Sequence, residues 1–170
     1  HEAGSFAGVC CDFINLGYRV REDQKTKKPY VVGAIAYTFF CGETDPESGR
    51  PLYLSREFDV RLSENANLRK FLEGWRGAKY TTEELEAGIP FHKAVGRGGT
   101  VAVIHNESKG VTYANIESVK PMAKGLVAPA IPADFKRAEF WDKTKQKYAE
   151  QVAEYDRRYG TPPSTGHEET

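Results

Sequence analysis

The stretch LSENANLRKFLEGWRGAKYTTEEL, residues 62–85, constrains the fold most, because it is the one strong helical pattern between two groups of strand-like segments. Leu68, Phe71, Leu72 and Trp75 recur at helical spacing, Ser63 stands where an N-cap belongs with Glu64 in the first turn, and Gly77 supplies the stop. The expectation is a helix over residues 63–76 of about three turns, then a second short helix capped by Thr81 or Thr82. An apolar stripe of this kind needs a concave sheet to cover.

The flanking segments supply that sheet. Residues 6–20 are dense in β-formers and interrupted by Gly8 and Gly17, which fits a long first strand bent at a glycine, with Cys10 and Cys11 on opposite faces. A polar, basic loop over 21–28 leads to a buried second strand over 30–41, and a turn-rich 42–51 follows. Residues 52–62 alternate Leu52, Leu54, Phe58, Val60 and Leu62 against Tyr53, Ser55, Glu57, Asp59 and Arg61, the pattern of a half-buried strand. Beyond the helices, the glycine-rich 88–99 precedes a hairpin of strands 100–105 and 111–119. Pro121, Pro129 and Pro132 mark 120–132 as a surface linker. Residues 133–159 read as a helix capped near Asp134, carrying Tyr148, Val152, Tyr155 and Tyr159, and 160–170 as a disordered acidic tail. The order predicts a mainly β fold with helices: a five-stranded Greek-key barrel of OB type, with a helix between strands three and four and a C-terminal helix outside. Residues 6–125 form the expected OB-fold domain, and 126–170 the appended linker, helix and tail.

Composition narrows the function. Lysine and arginine number 24 and aspartate and glutamate 24, so the net charge is zero and any electrostatic argument rests on local clusters. Three cysteines, two of them adjacent, cannot make a framework of paired bridges, which points to reduced thiols and a reducing compartment. No run has the length of a membrane span and no secretory pattern opens the chain. Residues 1–5 are set apart from the expected domain, which begins at residue 6.

The residues do not assemble into a catalytic set. Adjacent strand cysteines face apart and the histidines are isolated, so no zinc-ligand spacing arises. His105 reads as a half-buried strand histidine rather than a base, because no nucleophile motif accompanies it. Glu83-Glu84 suits a helix start, Glu57 and Asp59 a solvated strand face, and Gly96-Arg97-Gly98-Gly99 a turn or bulge rather than a phosphate cradle. Basic residues interleaved with aromatics on the first three strands are more suggestive: Tyr18, Arg19, Arg21, Lys25, Lys27, Lys28, Tyr30, Tyr37, Phe39, Tyr53 and Arg56. Rings of this kind stack bases while cations follow phosphates. The competing reading is that at least half of the rings fill the core and the lysines are merely solvated. Tyr37 falls opposite Tyr30 in strand alternation, so only one of the two can stack, and Tyr30 adjoins the basic loop.

The segment LEGWRG at 72–77 and YTTEEL at 80–85 resembles bacteriophage single-stranded DNA-binding and replication-associated proteins with an OB fold. Ser55-Arg56, Leu62, the glycine-rich loop, 101–105, Lys109-Gly110 and Tyr113-Ala114-Asn115-Ile116 extend the likeness over about residues 6–129. The resemblance implies a sequence-tolerant single-stranded DNA-binding protein acting in phage replication or recombination in the host cytoplasm, with no cofactor and no catalytic residue. The implied partners are single-stranded DNA and, through the C-terminal region, replication proteins. No membrane partner is implied, and a homodimer is left open. Two departures stand: the sequence closes on His167-Glu168-Glu169-Thr170 without a terminal aromatic, and the net charge is neutral. The alternative is an OB-scaffold interaction module that binds a replication or host-defence protein.

Overall fold

In the computed structural model, which describes residues 1–160, the first strand is long enough to serve two partners. Strand β1 (Gly4–Glu22) pairs antiparallel with β4 (Gly98–Ser108) along its first residues and with β2 (Pro29–Thr44) from Val9 onward. The register shifts between Cys10 and Asp12 and again between Asn15 and Tyr18, which bends the strand. At the second shift Gly17 takes a φ of 75°, a left-handed conformation that a side chain would strain. Its amide donates to Asn15 Oδ1 at 2.8 Å.

Strand β3 (Pro51–Asp59) pairs with β2, and β5 (Val111–Lys120) with β4, giving the order β3-β2-β1-β4-β5. The two edge strands then approach each other, and an Arg56 guanidinium nitrogen donates to the Glu117 carbonyl at 2.6 Å across the seam. The protein is thus mainly β, five antiparallel strands in a curved, barrel-like sheet with helices added.

One face of this sheet forms the main core. Cys10, Ile35, Tyr37, Phe39, Leu54, Phe58, Val101 and Val119 meet Leu68, Phe71, Leu72 and Trp75 of helix α1 (Asn67–Arg76). The four apolar positions expected to be buried are buried. The helix starts later than expected, however. Residues 63–66 make a turn in which the Ala66 amide donates to the Ser63 carbonyl at 2.9 Å, so Ala66 is the N-cap, with no side-chain bond, and Ser63 caps nothing. Gly77 ends it as expected, at a φ of 74°. Helix α2 (Thr82–Ala87) opens with a capping box between Thr81 and Glu84, and a 3-10 turn, Phe91–Ala94, leads to β4. Gly99 in β4 reflects close packing, since a Cβ there would lie 2.5 Å from Val119 Cγ1 and 2.9 Å from Trp75 Nε1.

The other face is covered by the chain's own C-terminal segment. Helix α3 (Phe140–Tyr159) sets Trp141 and Tyr148 against Ile14, Leu16, Ala34 and Ala36. Ahead of it, Phe135 and Ala128 pack on Val9, Cys11, Phe40 and Tyr53. The expected helix over 133–159 is therefore shorter at its start, and Asp134 does not cap it. Residues 135 and 137 are committed to the sheet instead: the Phe135 ring lies 5.0 Å from that of Tyr53, and Arg137 grips Asp12 through two bonds of 2.7 and 2.8 Å. Residues 1–5 also differ from expectation, because Gly4 and Ser5 pair with Val103 and Ala102 and the His1 ring packs edge-on against Phe6. His105 is exposed rather than half-buried, with Nε2 2.7 Å from the His1 carbonyl. The expected tail lies mostly outside the described residues.

Cys10 sits in the main core and Cys11 on the opposite face, and all three cysteines are free. Among the described residues no helix is long and apolar enough to cross a membrane.

Candidate nucleic-acid interface

The basic turn between β1 and β2 is built around one aspartate. Asp23 Oδ1 accepts from the amides of Lys25 and Thr26 at 2.9 Å each, and its carbonyl accepts from the Lys27 amide at 2.8 Å. Those amides hold the Asp23 carboxyl below its ordinary pKa, Thr26 contributing most. Lys27 takes a φ of 60°, and the turn closes through the Asp23 amide to the Lys28 carbonyl at 2.9 Å. Lys25, Lys27 and Lys28 all point into solvent, and their ammonium groups have no hydrogen bond or ion pair among the described residues. The turn thus presents three charges on an ordered backbone.

Tyr30 flanks that turn, half-buried, with the Arg61 guanidinium 4.8 Å from its ring centroid. Tyr18 is the most open of the expected rings at 40% exposure. From Arg61 the polypeptide runs back along β3 to a cleft of about 430 Å³ between β3 and the β4–β5 hairpin, lined by Ser55, Arg56, Glu57, Ile104, Asn106 and Asn115 among others. Arg56 is the inward member of the β3 alternation, so its guanidinium lies 4.7 Å from the Phe58 ring and caps the core at the cleft. Burial lowers its pKa, opposed by the Glu117 charge. The tip of the hairpin carries exposed Val111 and Tyr113 beside exposed Lys109.

Several expected site residues lie elsewhere. Tyr37 is fully buried, its ring packed on Phe71 and Trp75 and its hydroxyl donating to the Phe91 carbonyl at 2.9 Å, so it is a core residue and cannot stack a base. Phe39 is likewise core. Arg19, Arg21 and Tyr53 share the face that the C-terminal segment covers or borders. Arg19 donates to Glu57 Oε2 at 2.7 Å and to the Tyr148 hydroxyl at 3.0 Å, with its guanidinium 4.6 Å from the Tyr148 ring. The Tyr148 hydroxyl in turn donates to Glu57 at 2.6 Å, and burial followed by the Glu57 bond pushes its pKa up to about 12. Arg21 is bound to both oxygens of Asp59, and Tyr53 lies between Phe40 and Phe135. The structure therefore leaves the three lysines and Tyr30 together at the β1–β2 turn, places Tyr18 and Arg56 away from them on the other face of the sheet, and takes Arg19, Arg21, Tyr37 and Tyr53 into internal contacts.

Arg61 and Tyr113 are the residues that sequence reasoning did not place at the site. A signal existed for each. Arg61 follows Tyr53, Ser55, Glu57 and Asp59 in the polar alternation of the third strand, and Tyr113 is out of phase with buried Ile116. No protein-family model matches the chain, and no curated protein matches it significantly.

Proposed function

We propose that the chain is a sequence-tolerant single-stranded DNA-binding protein built on an OB-type barrel, acting in phage DNA replication or recombination inside the host cell. The strand order β3-β2-β1-β4-β5, the shared first strand, the β3–β5 approach and a helix between β3 and β4 support the OB reading. Fold alone does not confer function, so the argument rests on the site. The observation that carries it is the Asp23-braced turn, which holds Lys25, Lys27 and Lys28, unpaired among the described residues, beside the Tyr30–Arg61 stack. Phosphates follow such cations and bases stack on a ring such as Tyr30. Cations and ring faces carry no base-edge code, which is why the binding is read as sequence-tolerant.

One observation favours the alternative, an interaction module. The outer face of β1, β2 and β3 is occupied by residues 128–148, while α3 leaves Phe140 and Tyr159 exposed at 54% and 57%. A replication or host-defence protein would then dock on the C-terminal region.

Fluorescence anisotropy with labelled oligo-dT and with duplex of equal length, at two salt concentrations, separates the two. Salt-sensitive binding that prefers the single strand is the expected result. Absence of binding at low salt overturns the DNA reading and leaves the interaction module.

A further inference from the structure

A second hollow shares no residue with the β3–β5 cleft. It opens between α1, α2 and the 3-10 turn, has a volume of about 590 Å³, and is floored by Leu72, Trp75, Ile89 and Phe91. That volume lies within the range of ligand pockets.

Its walls are fixed before any ligand arrives. Trp75 Nε1 donates to the Gly98 carbonyl at 2.9 Å, and the Tyr37 hydroxyl donates to the Phe91 carbonyl at 2.9 Å. The Glu73 carboxylate accepts from the Tyr80 amide at 2.8 Å and from Arg69 at 3.2 Å, which ties α1 to the approach to α2. Burial works against the Glu73 charge, but the Tyr80 amide and Arg69 outweigh it and hold its pKa below the ordinary value. A preformed hollow spares a ligand much of the ordering cost of binding.

The rim is positive. Arg76 and Glu84 satisfy each other at 2.9 Å, which leaves Lys93 and Arg97, whose side chains have no hydrogen bond or ion pair among the described residues. The floor is apolar, and the Trp75 and Tyr37 donors are already spent on backbone carbonyls.

We propose that this groove docks an acidic linear segment of a partner protein, anchored by one large apolar side chain. The anchor enters over Trp75 and Ile89 while flanking carboxylates meet Lys93 and Arg97. A nucleobase fits less well, because its edges carry donors and acceptors that this floor would leave unpaired. Residues 161–170, TPPSTGHEET, offer two carboxylates but no large apolar side chain, so that stretch does not supply the anchor. The proposal does not rest on the DNA-binding reading.

The test titrates the full chain into a fluorescein-labelled heptapeptide of aspartates with one central phenylalanine, followed by anisotropy. Saturable binding is expected, weakened about tenfold or more when the central residue is alanine. The double variant Lys93→Glu/Arg97→Glu weakens it about tenfold and flattens its salt dependence. Both residues are exposed, so thermal melting should match the parent. Ala87→Trp, which crowds the lining with the charges intact, weakens it as well. The proposal is overturned by absence of saturable binding, by equal affinity for the alanine-centred peptide, or by variants that bind like the parent. It is also overturned if oligo-dT displaces the peptide and is itself weakened by the charge reversal, since the groove would then be a nucleic-acid site.

Discussion

Replacing Trp75 by alanine tests the central packing argument. The indole is 8% exposed, its ring contacts those of Tyr37, Phe39 and Phe71, and its N–H donates to the Gly98 carbonyl at 2.9 Å. Truncating a buried tryptophan to alanine costs about 3–5 kcal/mol, and stripping the donor from a partly buried carbonyl adds about 1 kcal/mol. The sum, about 4–6 kcal/mol, is a large share of the roughly 5–15 kcal/mol by which a domain is stable. Trp75→Phe keeps a ring between Phe39 and Phe71 and loses the N–H with part of the bulk, so it should cost about 2 kcal/mol. Urea unfolding followed by far-UV circular dichroism gives both values from the midpoint at constant slope. A loss under about 1 kcal/mol for Trp75→Ala would show that α1 does not organise the core. Equal losses for the two variants would show that the indole hydrogen bond matters more than the ring packing.

Changing Lys25, Lys27 and Lys28 together to alanine should reduce the slope of log K against log salt for oligo-dT by about 2, because each lost contact on a single strand removes roughly 0.7; anisotropy at several salt concentrations reads this directly. Tyr30→Ala should instead cost about 1–3 kcal/mol of binding with little change in slope. In the covering segment, Trp141→Ala should cost about 3–5 kcal/mol of stability and Tyr148→Phe about 1 kcal/mol, both measured by urea midpoint; the reverse ranking would mean that the polar network, not Trp141, holds α3 down. The thiols set an alkaline limit: burial pushes Cys10 from 9.0 up to about 12, and Cys11 and Cys41 up to about 11. Above about pH 9 the unfolded chain has released thiol protons that the folded chain keeps, so stability falls as pH rises toward about 11. A urea midpoint that holds constant across that window would refute the burial of the thiols.

Some of this protein was legible in the sequence because it depends on periods that local chemistry sets. The spacing of Leu68, Phe71, Leu72 and Trp75 suffices to identify a helix with one buried face, and the alternation along 52–60 suffices to identify a strand. The capping box at Thr81 and Glu84 and the stop at Gly77 are equally local. Adjacency alone put Cys10 and Cys11 on opposite faces. Start points were less legible: Ser63 and Asp134 both look like caps, yet each lies where the chain is bound in a turn or to the sheet.

The division of the aromatic and basic residues between core and site was decided only by tertiary structure. Tyr30 and Tyr37 are the same residue type on the same strand, and Tyr37 is sealed because α1 and the 3-10 turn close over it. Arg19 and Arg21 are as basic as the loop lysines, but Glu57 and Asp59 on β3 neutralise them through a register that brings together residues 38 apart. The outer face of the sheet is covered by Phe135, Trp141 and Tyr148, whose partners on β1, β2 and β3 lie far away in the chain. Sequence periodicity determines which face of an element is apolar. Which other element covers that face, and which charge meets which, depends on long-range contacts that no local pattern encodes.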